Sequence, residues 1–207
     1  MPNTRRGRPP ESVGSDTRER ILDAATKLFA QDGFHGTSVA EIGSAAGVQA
    51  GALYYHIKSK DELLWEILRR YVDEMLASTR EVVAAHPNPV DRLHAMLVNH
   101  VTHIIQLRRQ VTIELRDRRA LSKPHFAQLQ HERDEIQRLW QQTLDEGAAS
   151  GQFRTSDPVV TNAMLTMVSL ISQWYRQRGR YSPTEVADII VDVLLDGLLT
   201  APRPHAP

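Results

Sequence analysis

The sequence predicts an all-α protein in which a small N-terminal three-helix unit precedes a larger helical body. Apolar residues recur at helical spacing through most of the 207 residues, and the alternation typical of β-strands is missing. Glycines and prolines fall at intervals that fit helices of ordinary length. Because 41% of the residues are hydrophobic, the chain can bury a substantial core.

The two ends of the chain differ from the rest in composition. Residues 1–15 are rich in proline and glycine, and the first ten carry three arginines and no acid, so we expect a flexible basic arm. Since the formal net charge is zero, the remainder is net negative by three. This balance argues against a protein that coats nucleic acid by bulk charge but permits a local basic patch. We expect residues 202–207 to form a disordered tail.

Several classes of protein are disfavoured by what the sequence lacks. It has no cysteine, which excludes disulfides and thiolate metal sites. No secretory signal is visible, and the longest apolar stretch, 163–171, is interrupted by polar residues and is too short to span a bilayer. No glycine loop for phosphates, nucleophile elbow or paired Glu-x-x-His motif occurs. We therefore expect a cytoplasmic, non-enzymatic protein without a cofactor or a membrane partner.

Three helices are predicted near the N-terminus. The first begins near Asp16 and ends at Gly33, and the second begins with Ser38 and Glu41 at the spacing of a capping box. The third covers about 49–56. Two short helices joined by a tight turn and braced by a longer one have the layout of a helix-turn-helix, whose second helix enters a major groove of DNA.

This layout predicts a DNA-binding domain over residues 16–60, with ordinary helix packing as the alternative. Gln49 at the start of the third helix is suited to an adenine edge, and small residues after it would let the backbone approach DNA closely. Hydroxyl and ammonium groups beside it are suited to phosphates. The predicted contacts are Thr37, Ser38, Gln49, Ala50, Gly51, Tyr54, Tyr55, His56 and Lys60.

The remaining chain, 61–201, is predicted to form one helical domain. A long helix opened by Ser59 and Glu62 should link the two domains. Turn signals then place further helices near 89–106, 108–121, 124–149, 158–178 and 183–200. The last two are apolar on most sides, which makes them candidates for an interface between two copies of the chain, with a purely intramolecular core as the alternative.

The N-terminal segment resembles the DNA-binding domain of the TetR family of repressors. The matching residues are Ile21, Phe29, Gly33, Thr37, Ser38-Val39, Ile42, Ala45-Ala46-Gly47-Val48, Leu53-Tyr54-Tyr55-His56, Ser59-Lys60, Leu63 and Leu64. The resemblance implies a homodimer that represses transcription by binding double-stranded operator DNA and is released by a small-molecule effector. An activator is the alternative. Ile57 stands where the family usually has an aromatic residue, and Gln49 where Ser or Thr is frequent, so the operator sequence is not implied.

The body resembles a subgroup of these repressors that senses acyl-CoA thioesters of lipid and steroid breakdown. The matching residues are Leu121, His125, Arg133-Asp134, Trp140, Glu146-Gly147, Gly151, Phe153-Arg154, Trp174-Tyr175-Arg176, Gly179 and Ser182. The chain departs from the subgroup where Gln177-Arg178-Gly179 replaces Pro-Gly-Gly. The resemblance implies an acyl-CoA effector, with a different hydrophobic small molecule as the alternative.

Arginines between 108 and 119 offer positive charge for phosphates, and apolar residues of several helices could surround an acyl group. The alternative is that the arginines form an ion-paired surface and that the apolar residues are ordinary core. The predicted ligand-binding residues are Met96, Ile104, Arg108, Arg116, Trp140, Met164, Trp174 and Arg178.

Histidines 94, 100 and 103 approach one helical face, an arrangement that can bind zinc or nickel. Because no cysteine or well-spaced carboxylate completes such a site, we predict no metal and expect pocket or surface histidines.

The arm contains one further motif. Arg6-Gly7-Arg8-Pro9 resembles the core of an AT-hook, in which an extended backbone lays two arginines along a narrow A·T minor groove. We predict DNA contacts by Arg6 and Arg8. A solvated tail, or an arm that contacts phosphates without sequence preference, is the alternative.

Overall fold

The computed structural model describes residues 11–198, and this part of the chain is helical without strands. The all-α prediction is therefore confirmed. The helices are α1 (Glu11–Asp32), α2 (Val39–Ala45), α3 (Ala50–His56), α4 (Lys60–Ala85), α5 (Pro89–Gln106), α6 (Arg108–Asp117), α7 (Lys123–Ala149), α8 (Pro158–Ser169), α9 (Ile171–Trp174) and α10 (Pro183–Leu198), with a 3-10 turn at Arg118–Ala120 after α6.

The N-terminal unit is built around the apolar face of α1. Ile21, Ala25 and Phe29 are fully buried and fall at intervals of four residues, so they lie on one side of the helix. This helix packs against α2, α3 and α4. Gly33 follows it with φ +83°, a conformation that glycine adopts without a steric penalty, and the chain can therefore turn sharply towards α2.

Helix α4 belongs to both halves of the molecule. Its first turns bury Leu63, Leu64 and Leu68 near the N-terminal unit, and its later turns bury Met75 and Leu76. The helix packs against α1 as well as against α5, α6 and α7. One continuous apolar core therefore runs from the N-terminal unit into the body.

Helix α5 lies at the centre of the body. It buries one face completely, through Leu93, Leu97, Val101 and Ile104, and it packs against α4, α7, α8 and α10. No helix within residues 11–198 is both long and apolar enough to cross a membrane.

Three predicted helix boundaries differ from the structure. Helix α1 begins at Glu11 instead of Asp16, so residues 11–15 belong to a helix and not to the predicted arm. A single glycine at position 14 costs about 1 kcal/mol in a helix, which is too little to stop a long one. The helix predicted over 108–121 ends at Asp117 and tightens into the 3-10 turn.

The helix predicted over 158–178 is interrupted at Leu170, which separates α8 from α9. Hydroxyls compete with the helical hydrogen-bond pattern at this point, because Ser169 donates to Leu165 O and Ser172 donates to Ser169 O. Tyr175 then leaves the helix with extended backbone, and its side chain is buried.

Gly147 is required where the end of α7 meets the following loop. A Cβ atom at this position would lie 2.0 Å from the ring of Phe153, which is itself 2% exposed. We expect Gly147→Ala to lower the free energy of unfolding by about 1–3 kcal/mol, the usual cost of overpacking a core. Chemical denaturation followed by circular dichroism measures this cost. As a control, the same substitution in a Phe153→Leu background should cost clearly less, and equal costs in both backgrounds would contradict the steric explanation.

Candidate DNA-binding surface and effector cavity

Helices α2 and α3 are held close together by a tight turn. Gly47 in the turn has φ +66°, and the chain there is closed by a hydrogen bond from Val48 N to Gly43 O of 2.9 Å. A Cβ atom on Gly43 would lie 3.1 Å from the side chain of Leu53. Since Leu53 is buried against α2, the opposite side of α3 is directed to solvent.

Helix α3 and the residue before it carry four of the residues that we predicted to touch DNA. We call Gln49, Tyr54, Tyr55 and His56 the recognition surface. Tyr54 is 67% and Tyr55 is 80% exposed, Gln49 is exposed, and His56 is half-buried. Large exposed aromatic side chains are unusual on a surface without a partner. Tyr54 and Tyr55 are therefore accessible on α3, Gln49 is accessible at its start, and His56 is only partly accessible at its end.

Ser38 fixes the start of α2 through a complete capping box. Its hydroxyl accepts from Glu41 N at 3.2 Å, while its own backbone N donates to the Glu41 carboxylate at 2.7 Å. This backbone hydrogen bond, together with one from the Ser38 hydroxyl, lowers the pKa of Glu41. Ser38 is exposed at the N-terminal end of α2, where free N–H groups attract anions.

Thr37 and Lys60 are placed differently from our expectation. Thr37 is 3% exposed and its hydroxyl donates to Gly33 O at 2.9 Å. The ammonium of Lys60 donates to Phe34 O at 2.8 Å and Thr37 O at 2.9 Å, and it lies 4.4 Å from the centre of the Phe34 ring. Both side chains hold the α1–α2 turn, so the structure does not favour phosphate contacts by them.

The other predicted DNA contacts lie outside the described part of the protein. Arg6 and Arg8 precede the described residues, and the side chains of Ala50 and Gly51 are likewise not described. The helical backbone of α3 includes the last two positions.

Arg18 of α1 contacts the last turn of α3, which we call the recognition helix, and this contact was not predicted from the sequence. Its guanidinium donates to His56 O, in the last turn of α3, at 2.5 Å, and it forms an ion pair with Glu66 of α4. Glu66 also pairs with Arg70, which pairs in turn with Glu19 of α1. Three helices are thereby joined at the carboxyl end of α3, where a cation is also favoured by the helix dipole. Arg18 and His56 are 38 residues apart, and no local pattern links them.

A second set of contacts joins the body to the N-terminal unit. The buried carboxylate of Asp117, at the end of α6, accepts from Phe34 N at 3.1 Å. Arg116 beside it binds the Asp117 carboxylate and also donates to Phe29 O. The predicted ligand residue Arg116 thus contacts the end of α1 and does not face a ligand cavity.

The body contains a cavity of about 80 Å³ between α4, α5, α7 and α8, with one residue of α6 at its wall. Its apolar side is formed by Val72, Met75, Ile136 and Leu165. Its polar side includes an ion pair between the buried carboxylate of Glu114 on α6 and Arg133 on α7, at 2.6 Å.

His100 of α5 lines the same cavity and is 6% exposed. Burial, followed by the nearby His103 and Arg133, lowers the pKa of His100 to about 4, so the ring is neutral at neutral pH. His103 contacts Asn99 O and Glu74, and His94 is exposed. Among residues 11–198 no group of three or more histidine and acidic side chains is arranged to hold a metal ion.

The predicted ligand residues do not lie together in the structure, and only four of them are buried in the body. Met96, Ile104, Trp140 and Met164 are at most 2% exposed and belong to the core of the body. Trp140 contacts His100 edge-on, which places it next to the cavity.

The remaining predicted ligand residues lie elsewhere. Trp174 is 54% exposed and Arg178 is exposed, because α9 lasts only four residues and the chain after it runs along the surface. Neither residue belongs with the buried group, which corrects the prediction that Trp174 lines an apolar slot.

Arg108 lies at a second, larger depression. This groove of about 800 Å³ is bounded by α1, the α5–α6 junction and the segment between α9 and α10. Lys27, Arg108, Arg109 and Arg180 line it, together with the acidic Asp23 and Glu185. The groove is therefore open, polar and predominantly basic.

Helices α8 and α10 expose apolar side chains on their outer sides. Val159 is 71% and Met167 is 41% exposed on α8, and Ile189 and Val193 are 49% and 68% exposed on α10. Both helices pack their inner sides against α5. We call these four residues the apolar face; its members recur at spacings of four and eight residues.

Two family profiles match the chain. Residues 21–67 match bacterial regulatory proteins of the tetR family, and residues 86–198 match the tetracyclin repressor-like C-terminal domain. The chain is 30% identical over 194 residues to the HTH-type transcriptional repressor KstR2 of Rhodococcus jostii, a match that covers 92% of this chain and 94% of the relative. It is 28% identical to KstR2 of Mycobacterium tuberculosis, covering 87% and 92% of the two chains.

Solved structures agree with these matches. The structure of the ketosteroid transcriptional regulator KstR2 of Mycobacterium tuberculosis superposes with a TM-score of 0.84, at 28% identity, covering 89% of this chain and 95% of that one. The crystal structure of AibR in complex with isovaleryl coenzyme A and operator DNA has a TM-score of 0.79 at 26% identity and covers 86% and 98% of the chains. The chain belongs to the TetR family of helix-turn-helix transcriptional regulators, which are not enzymes.

Proposed function

We propose that this protein is a repressor that binds its operator as a homodimer and is released by a small-molecule effector, with an acyl-CoA thioester as the effector class. The observation that carries the proposal is the recognition surface, where Tyr54 and Tyr55 are exposed on a helix whose Leu53 is buried in the core. In a helix-turn-helix this helix enters the major groove. Gln49, Tyr54, Tyr55 and His56 are the residues proposed to contact DNA there, and Ser38 to contact a phosphate.

The apolar face supports the homodimer. A stable dimer buries about 800 Å² per subunit, and its centre is more apolar than the rest of the surface. Val159, Met167, Ile189 and Val193 supply apolar area on two helices that are otherwise anchored in the core. Pairing across a two-fold axis would form a four-helix interface and present two recognition helices to the DNA, about 34–36 Å apart or a multiple of this distance.

Two features support an acyl-CoA effector. The cavity beside His100 and Trp140 offers apolar walls for an acyl group, and the basic groove offers Arg108, Arg109, Lys27 and Arg180 for phosphates. The structure of AibR, a similar protein, contains isovaleryl coenzyme A. Arg116 and Trp174 are not included in this proposal, because the first contacts α1 and the second is largely exposed.

Release of DNA requires that the effector and the operator favour different conformations. Two connections run from the body to the recognition helix: α4 through Glu66 and Arg18, and α6 through Asp117 and the α1–α2 turn. Because Glu114 lines the cavity one helical turn before Asp117, a change at the cavity is carried to the N-terminal unit by a single turn of α6. We propose that these two connections transmit the effect of the ligand.

Arg18 should matter for DNA binding although it does not face the DNA. We expect Arg18→Gln to weaken operator binding about tenfold, because α3 loses the charged hydrogen bond at its last turn and its link to α4. Fluorescence anisotropy with operator DNA measures the affinity, and thermal unfolding checks the fold. The matched control is Arg69→Gln, which removes an exposed i,i+4 ion pair with Asp73 and should leave affinity unchanged. Equal affinities of the two variants would argue against the role of Arg18.

Disruption of the apolar face should separate the subunits. In Val193→Glu a charge would be buried at the centre of the proposed interface, so we expect monomers in sedimentation velocity at micromolar concentration. Operator affinity should fall at least tenfold, since two linked recognition helices bind far more tightly than one. Ala84→Glu on the exposed side of α4 is the control. A Val193→Glu variant that remains dimeric would place the interface elsewhere.

The effector class is tested by titrating the protein against DNA from its own promoter region and adding acyl-CoA thioesters, free CoA and the free acids. We expect specific DNA binding that one thioester weakens at least tenfold, while free CoA and the acid do not. By linkage, the operator must weaken thioester binding by the same factor, which calorimetry measures. Specific binding that no thioester changes would retain the DNA-binding function and remove the acyl-CoA proposal.

A further inference from the structure

Two buried ring nitrogens next to the cavity of the body have no hydrogen-bond partner within the described part of the protein. They are Nδ1 of His100 and Nε1 of Trp140. His100 is 6% exposed and Trp140 is fully buried. Most buried polar atoms in folded proteins are hydrogen-bonded, because burial without a partner costs free energy. Two such atoms on rings that contact each other are therefore a feature that needs a physical explanation.

The two rings are close enough to act on the same group. Their centroids are 5.5 Å apart and their planes are nearly perpendicular, at 81°. His100 lines the cavity, and Ile136 and Gln137, which also line it, precede Trp140 by about one turn on α7. Trp140 does not itself line the cavity but contacts His100, so a small polar atom that reaches both rings has to lie at the His100 end of the cavity.

Several neighbouring polar side chains of the protein are engaged with other partners. The hydroxyl of Thr143 donates to Leu139 O at 3.0 Å and lies 3.5 Å from the sulfur of Met96. Arg133 is paired with Glu114, and His103 contacts Asn99 O. None of these contacts satisfies the two orphan nitrogens.

The chemistry of the two rings defines what they can bind. Trp140 Nε1 is a donor only, whereas a neutral imidazole carries one donor and one acceptor nitrogen. A hydroxyl can accept from Trp140 and donate to His100, and a carbonyl oxygen can accept from both. A carboxylate would place a second negative charge near buried Glu114, and Arg133 is already held by that residue. A pure hydrocarbon would leave both nitrogens unpaired.

We propose that the cavity binds the apolar part of the effector and that His100 and Trp140 together recognise an uncharged oxygen on it, a hydroxyl or a carbonyl. The volume of about 80 Å³ holds a short branched chain or the inner part of one ring, and not an entire large ligand. This inference rests on the proposed function only in assuming that an effector enters the body. It adds which chemical group the effector must carry at its buried end.

The test uses small ring compounds of similar size that differ in the presence and kind of oxygen group: cyclohexanol, cyclohexanone and cyclohexane. The chain has three tryptophans, so the indole N–H signals in a proton-nitrogen correlation NMR spectrum of the full-length protein are few, and Trp140→Phe assigns the one from Trp140. We expect a saturable shift of this signal with the alcohol and the ketone, and no saturable shift with cyclohexane.

Removing the imidazole should weaken the binding of the two oxygen-containing probes. We expect His100→Leu, which keeps similar bulk, to raise their Kd about tenfold, the factor that corresponds to one lost hydrogen bond. His94→Leu is the matched control, because His94 is exposed on the same helix. Equal shifts with all three probes, no saturable shift with any of them, or an unchanged Kd in His100→Leu would each overturn the inference.

Operator binding of the same samples separates this inference from the proposed function. If the wild-type protein and His100→Leu bind operator DNA equally but the probes do not bind, then only the assignment of the cavity fails. If the probes bind as expected while no specific operator binding is found, then the proposed function fails and the cavity assignment stands.

Discussion

The structure depends on α4, which contributes to both ends of one continuous hydrophobic core. Residues from Leu63 to Leu68 close the N-terminal unit, and those from Tyr71 to Leu76 contribute to the body. Since interiors are packed as densely as crystals of small molecules, this helix cannot shift at one end without repacking at the other. The N-terminal unit is therefore not an independent module on a flexible linker, and its orientation follows from how the body packs.

Polar contacts also attach the N-terminal unit to the body at two defined places. Arg18 and Glu66 hold the end of the recognition helix to α4, while Asp117 holds the α1–α2 turn to α6. The two attachments lie on different helices of the body, and both involve side chains that are at least partly buried, where charged hydrogen bonds are stronger than on an open surface. A motion that changes the relative position of α4 and α6 would therefore rotate the helix-turn-helix without unfolding it.

Features determined by neighbouring residues were predictable from the sequence. The capping box of Ser38 and Glu41, the cap by Ser59 and the turn at Gly47 are present as expected, because each depends on residues a few positions apart. The outward direction of Tyr54 and Tyr55 follows in the same way from the inward direction of Leu53.

Features determined by distant residues were not predictable. Lys60 was assigned to phosphates by its charge, but its partners are carbonyls 23 and 26 residues away. The hydrogen-bond partner of the Asp117 carboxylate is the backbone N–H of Phe34, which lies 83 residues earlier in the chain. Trp174 was assigned to an apolar slot because it is large and apolar, whereas the break at Leu170 and the short α9 leave it at the surface. Side-chain chemistry indicates what a residue can bind, and only the packing decides what lies within its reach.

The separation of tasks within the helix-turn-helix has an evolutionary consequence. Tyr54 and Tyr55 are largely exposed, and Gln49 makes no side-chain cap to α3, so none of these three side chains supports the fold. The fold is stabilised instead by the burial of Leu53 and by the hydrogen bonds of Arg18 and Lys60. Substitutions at these exposed positions should leave stability almost unchanged. If these side chains contact bases as proposed, a duplicated copy of the gene could therefore change its DNA target by single substitutions, without an intermediate that folds poorly.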